Sequence, residues 1–231
     1  MTDSSLMIDV KDGVMTLSIN RPDKLNAINN DVAQAFLDAV LAAAADAAVR
    51  VLRVLGNGRA FCAGRDVSEA PTERDLQLVQ AVSAALVRLR KPVLFAVHGW
   101  IIGAGLEWML NADIVIAASD SRFKFPEASL GVFVTGGLTA TLPAFAGLGR
   151  AKAMVLLGDE FSSQQALSWG LVWQVVPNDD LAVASLRMAQ KLASLDPEVA
   201  AHFKKVLNQV GLSNFDRAVQ LENEADRALR S

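Results

Sequence analysis

The sequence has little of what builds metal centres or disulfide frameworks. Its 231 residues include one cysteine, Cys62, and two histidines, His98 and His202. A lone thiol excludes a disulfide scaffold, and this set excludes any usual zinc cluster. Positive charge is not in excess either. Lys and Arg number 22 against 25 Asp and Glu, so the bias of a nucleic-acid binder is missing. No apolar run reaches the ~20 residues that cross a bilayer. The stretch from Ala39 to Val49 is broken by Asp46 and is rich in Ala rather than Leu. Met1-Thr2-Asp3-Ser4-Ser5 is polar and acidic, unlike a signal peptide. A cytoplasmic location with a reduced cysteine is the expectation.

What is present can build a core. Hydrophobic residues make up 52% and the net charge is −3, which excludes disorder as the main state. A chain of this size buries about 70% of its unfolded surface and needs no staple. Linkers and tandem repeats are absent, so one large domain, or one with a small appendage, is expected.

Leu6 to Val10 and Val14 to Ile19 read as strands around the Asp12-Gly13 turn, a hairpin signal. Asn29 to Ala48 has the composition of a long helix, with Val32, Phe36, Leu37 and Val40 on one stripe. Further strands are expected at Val49 to Leu55, Val93 to Val97, Ile114 to Ala117, Phe123 to Phe125 and Leu171 to Val176. Helices are expected at Asp75 to Arg90 and from Gly103 to about Asn111. The alternation predicts an α/β class with largely parallel strands. Ser162 and Gln165 have capping-box spacing. After Asn178 everything reads as helix: Asp180 to Leu195, Glu198 to Val210 and Asn214 to Arg230.

Common catalytic signatures fail. Gly103-Ala104-Gly105 opens like a dinucleotide fingerprint, but its third glycine position is Trp108. There is no phosphate loop and no nucleophile elbow. His98 and His202 are isolated. What remains is two glycine-flanked turns, Ala63-Gly64-Arg65-Asp66 and Gly103-Ala104-Gly105-Leu106-Glu107, each following a strand. Ligands of parallel α/β folds bind at such strand ends. Two backbone N–H groups from separate turns can converge on one oxygen and form an oxyanion hole. Glu107 and Glu127 each read most simply as partners of a helix N-terminus. As a buried pair, one ionised and one protonated, they could hold a water between them.

The ordered motifs Asn20-Arg21-Pro22, Asn26-Ala27-Ile28, Phe61 to Asp66 and His98 to Glu107 resemble the enoyl-CoA hydratase/isomerase (crotonase) family. Phe125-Pro126-Glu127, Leu130-Gly131, Leu142-Pro143 and Ala166 to Val172 continue the resemblance in register. It implies a spiral of strand–strand–helix repeats followed by a C-terminal helical region. We place an acyl-CoA-binding core at residues 1–176 and a helical oligomerisation region at 177–231, with one continuous domain as the alternative. The resemblance also implies a homotrimer or dimer of trimers, no membrane or nucleic-acid partner, no metal and no redox cofactor. It assigns oxyanion-hole amides to Arg65 and Ala104. The CoA pocket falls to the backbone around Lys24, Leu25, Ala63, Gly64, Asp66 and Val67. Glu107 would activate a water for attack at Cβ of a 2-enoyl thioester, and Glu127 would deliver a proton at Cα. The segment Val67 to Leu78 and the loop Val132 to Leu138 would shape the acyl pocket.

The sequence departs from the family pattern in three features. Val134 and Thr135 stand where a proline and a glycine are common, in the loop beside the water site. Ser68 stands where many members have a lysine for CoA phosphates; Arg65 or Arg74 could compensate. The sequence stops at Ser231, where longer relatives carry a further helix over a neighbour's CoA, so a more exposed adenine end is expected. A double-bond isomerase is the nearest rival, since it needs only one carboxylate. A thioester hydrolase and a non-catalytic binding subunit of the same fold are more distant. Trp100 and Trp108 are expected in the core or the acyl-pocket wall, and Trp169 and Trp173 in packing of the tail or a subunit contact. Cys62 is expected to be a buried apolar residue and Asp66 a turn carboxylate. The tail helices are expected to expose apolar faces suited to a symmetric oligomer.

Overall fold

A computed structural model describes residues 4–68 and 72–230. Strands β1 (Leu6–Lys11) and β2 (Val14–Ile19) form the expected antiparallel hairpin. Its two turn residues have positive φ, 51° at Asp12 and 78° at Gly13. That geometry matches the strand twist, and glycine adopts it without a steric penalty.

Helix α1 (Asn30–Ala45) starts at Asn29, whose side chain accepts the Val32 amide. It stops three residues before the expected Ala48, because Asp46 turns extended and accepts the Ala48 amide. Strand β3 (Val51–Gly56) follows. Helix α2 (Glu73–Arg88) starts two residues before the expected Asp75, through a capping box between Thr72 and Asp75. Then come β4 (Val93–Val97), β5 (Trp100–Ile102), α3 (Ala104–Met109), β6 (Ile114–Ala118), β7 (Arg122–Lys124) and α4 (Glu127–Leu130). Helices α5 (Leu138–Ala146) and α6 (Leu148–Leu157) precede β8 (Phe161–Ser162), α7 (Ser163–Ser168) and β9 (Gln174–Val176). The chain ends with α8 (Leu181–Ala193), α9 (Pro197–Gly211) and α10 (Phe215–Arg230).

The larger sheet has the order β1-β2-β3-β4-β6-β9, parallel from β2 onward. The smaller sheet has the order β5-β7-β8. The repeat is read directly from the pairing. β4 pairs in parallel with β6, β5 with β7, and a helix follows each strand pair. Parallel bridges Ile28–Arg65 and Cys62–Ile101 extend the smaller layer to the earlier turns. The fold is thus the expected mixed α/β spiral with a C-terminal helical region.

The layers enclose a core that includes Phe36, Phe95, Ile101, Trp108 and Phe123, all buried. On the opposite face of the larger sheet, α8 packs Leu181 and Ala189 against Leu94, Ala96 and Ile116. Arg53 projects into that interface and is satisfied there by Ser185 and the Ala182 carbonyl. Lys204 of α9 reaches Asp113 at 2.8 Å and also donates to the Leu86 and Lys91 carbonyls.

The tryptophan expectation holds for Trp108 and not for Trp100. Trp108 is buried and donates to the Val79 carbonyl. Trp100 is 36% exposed, because the alternation of β5 turns Ile101 inward and its neighbour outward. Trp169 packs at a tilt against Phe161 beneath Arg150, whereas Trp173 is exposed.

Candidate active site

Equivalent positions of successive spiral turns bring the two glycine turns together. The Cys62–Ile101 bridge locks them, with the Cys62 amide donating to the Trp100 carbonyl and the Ile102 amide to the Cys62 carbonyl. Gly64 has φ 91°, and a Cβ there would lie 2.9 Å from the Ile102 carbonyl oxygen and 3.8 Å from the Ala104 nitrogen. Only glycine allows this approach. Ala104 is the first residue of α3, so its N–H has no acceptor inside the helix. Arg65 follows Gly64 along the same wall, with its guanidinium 4.0 Å from Asp75. Cys62 is wedged beneath the second turn: a Cβ on Gly105 would lie 2.6 Å from its Sγ. Burial pushes this thiol up to about 12.

The two acids come from the helices that close consecutive repeats. Glu107 lies in the first turn of α3 and Glu127 opens α4, and only 3% and 7% of their surfaces are exposed. They are held differently. Glu107 Oε2 accepts the Thr135 amide at 2.9 Å and the Gly136 amide at 2.5 Å. Glu127 Oε1 stands beside Gly103, where a Cβ would approach it to 2.8 Å. Among the described residues, Glu127 Oε2 has no hydrogen-bond partner.

Burial raises both carboxyls above the usual glutamate range. For Glu107 the neighbouring Glu127 and Glu222 charges add to the rise, and the two amides pull against it. Two close carboxyls in such surroundings favour sharing one proton near neutrality.

Both acids line a cavity of about 540 Å³, together with Ala63, Gly64, Arg65, Val67 and Ala104. Its other walls include Leu76, Val79, Val132, Phe133 and Thr135. These come from the two segments expected to shape the acyl pocket; residues 69–71 of the first lie outside the described residues. Lys24, Leu25 and Asp66 do not line this cavity. Leu25 lines a separate hollow with Arg59, Trp100 and Arg122. Asp66 serves its turn, accepting from the Ser68 amide and hydroxyl and from Arg21. His98 faces the Gly58 carbonyl. A larger groove of about 690 Å³ between α2, α9 and α10 is lined by neither glutamate.

The sequence reading missed the contribution of α10. Asp226 and Leu229 line the cavity, and Glu222 reaches the turn before α5. The heptad-like burial of Phe215, Ala218 and Glu222 was the available signal, since an acid on a buried stripe needs a partner.

Two glycine turns and a buried acid pair thus border one cavity, where two carboxyls can exchange protons with one bound molecule. The comparisons agree. Residues 9–228 match the enoyl-CoA hydratase/isomerase family. The chain is 34% identical over 232 residues to 1,2-epoxyphenylacetyl-CoA isomerase of Escherichia coli K12, covering 96% of this chain and 88% of that protein. It is 32% identical over 232 residues to crotonyl-CoA hydratase of Syntrophomonas wolfei, covering 97% and 89%. The crystal structure of an enoyl-CoA hydratase from Mycobacterium avium subsp. paratuberculosis superposes with a TM-score of 0.93 at 30% identity, covering 98% and 90%. The chain belongs to the enoyl-CoA hydratase/isomerase family, and its class of activity is that of an acyl-CoA hydratase or isomerase.

Proposed function

We propose that the protein adds water across the 2,3 double bond of an enoyl-CoA thioester, with Glu107 and Glu127 as the catalytic pair. The observation that carries this is two buried carboxyls on one cavity, one tied by two amides and one with a bare oxygen. The thioester oxygen sits between the Arg65 and Ala104 amides, which stabilise the negative charge that develops there. Ionised Glu107 takes a proton from water as its oxygen bonds to Cβ. The double-bond electrons move toward the thioester and form an enolate. Protonated Glu127 gives its proton to Cα, and the carbonyl reforms. The pair holds one proton before and after turnover, and a proton exchange between the two acids resets it. Lys24, Leu25, Ala63, Gly64, Asp66 and Val67 are proposed to flank the CoA moiety.

A second reading has a specific support. Glu127 alone, with its unpartnered Oε2, is enough to move a proton between Cα and Cγ and shift a double bond. The experiment that separates the readings follows crotonyl-CoA by ultraviolet absorbance and product mass. Loss of enoyl absorbance with gain of one water supports hydration. Inertness toward short, long and branched 2-enoyl-CoAs overturns it and leaves the isomerase reading.

The exposed apolar residues Val199, Phe203, Val206 and Val210 on α9, and Leu156 and Leu157 on α6, support a homotrimer or dimer of trimers. They also support residues 177–231 as the region that joins subunits. Fatty-acid metabolism in the cytoplasm is the proposed setting.

A further inference from the structure

The turn from Thr135 to Thr139 is gripped from two sides. On one side Glu107 of α3 accepts the Thr135 and Gly136 amides, and Asn111 donates to the Gly136 carbonyl. On the other side Glu222 of α10 accepts the Gly137 amide, the Thr139 amide and the Thr139 hydroxyl, at 2.7 to 2.8 Å. Four amides of one short segment are thus shared between two carboxylates on different helices. The Phe215 ring of α10 seats the same turn: a Cβ on Gly137, which has φ 79°, would lie 2.3 Å from it. Glu222 is fully buried. An acid so placed is expensive unless its hydrogen bonds are complete, and here three donors meet it.

We propose that Glu222 is a positioning residue of the active site: through the Gly137–Thr139 end of the turn it sets where the Thr135 and Gly136 amides hold the Glu107 carboxylate. This deepens the reading of Glu107 as the water-activating group and rests on it. The last helix is then part of the catalytic apparatus as well as of the packing. A turn free to shift by a fraction of an ångström would carry both amides with it, and misplacement on that scale is costly to rate. Glu107 feels the charges of Glu127 from α4 and Glu222 from α10, while Asp226 of α10 and the Arg65–Asp75 pair line the same cavity.

The test compares the full-length protein with Glu222→Gln. The glutamine keeps one acceptor oxygen for Thr139, removes the charge and sets an amide donor against the Gly137 N–H. Two readouts are taken. The first is the titration of Glu107, followed by carbon-13 NMR of labelled glutamate carboxyls and assigned with Glu107→Gln. The second is kcat and KM for crotonyl-CoA hydration across pH. Removing the Glu222 charge moves the Glu107 titration down, and releasing the Thr135 and Gly136 amides moves it up, so positioning is read from Thr139→Val, which keeps the charge: its Glu107 titration is expected to move up. The kcat of Glu222→Gln is expected to fall about tenfold or more with KM nearly unchanged. A lowered melting temperature with unmoved kcat, and an unmoved Glu107 titration in Thr139→Val, overturns the proposal and leaves Glu222 a packing residue. If wild type does not hydrate crotonyl-CoA, the functional reading fails while the titration still decides the positioning role. Should Glu222→Gln not fold, Thr139→Val removes one donor to the carboxylate. It is expected to lower kcat at constant KM, and an unchanged kcat counts against the proposal.

Discussion

Replacing Glu127 by glutamine should stabilise the protein while disabling it, and only at alkaline pH. Glu127 is 7% exposed, and burial pushes its carboxyl up to about 7. In the unfolded chain the same group loses its proton near the ordinary glutamate value. Between these values the folded protein holds a proton that the unfolded chain has released. Stability therefore falls as pH rises through the window, and the penalty is complete above the folded value. The gap between 4.5 and about 7 is worth about 3 kcal/mol at about 1.4 kcal/mol per pH unit. Glu127→Gln removes the ionisation. For a chain of this size about 3 kcal/mol corresponds to a melting temperature about 5–10 °C higher. The gain should appear near pH 8.5 and largely vanish near pH 5, where the wild-type acid is protonated in the fold. Thermal melts of both proteins by circular dichroism at the two pH values measure it. Turnover of crotonyl-CoA should fall at least about a hundredfold in the same variant. A gain equal at both pH values, or none at the higher one, would refute the argument from burial.

Three further outcomes follow from the geometry. Glu107→Gln should lower crotonyl-CoA hydration by about a thousandfold. A 3-enoyl to 2-enoyl shift that uses Glu127 alone should survive, and equal loss of both would remove the division of labour. Gly64→Ala places a methyl group 2.9 Å from the Ile102 carbonyl at a φ of 91°, so the two amide turns must part. Its kcat should drop about a hundredfold with CoA affinity, measured by calorimetry, much less changed. Lys204→Met strands Asp113 without its cation; denaturant melts should show a loss of about 3 kcal/mol, and a loss near zero would mean that Asp113 finds water instead.

The hairpin, the parallel order and the tail helices were legible because each is written locally. Asp12-Gly13 specifies its turn, the continuous apolar runs specify buried parallel strands, and the 3.6-residue stripes specify helices. Strand β5 was not legible as a strand. Its three residues lie among glycines and owe their conformation to the pairing with β7. Helices α5 and α6 were also missed, since Pro143 and the glycines at 137, 147 and 149 read locally as breaks. The acids were legible only as a resemblance. Periodicity placed Glu107 and Glu127 at helix starts, but their proximity depends on two spiral turns stacking in register. Glu222 could be placed on the apolar stripe of α10 but not against its partners, which lie about eighty residues earlier, in a turn with no marked pattern.

Cys62 gives the site a natural clock. It is the sole thiol of the chain, buried between the two amide turns and held protonated. A protonated, sterically enclosed sulfur does not react with alkylating reagents. Labelling at that atom therefore requires the turns to separate, and its rate measures how often they do. Ligand that bridges the turns would slow the clock, and a spectrometer counting one added mass would read the free energy of opening without any engineered probe.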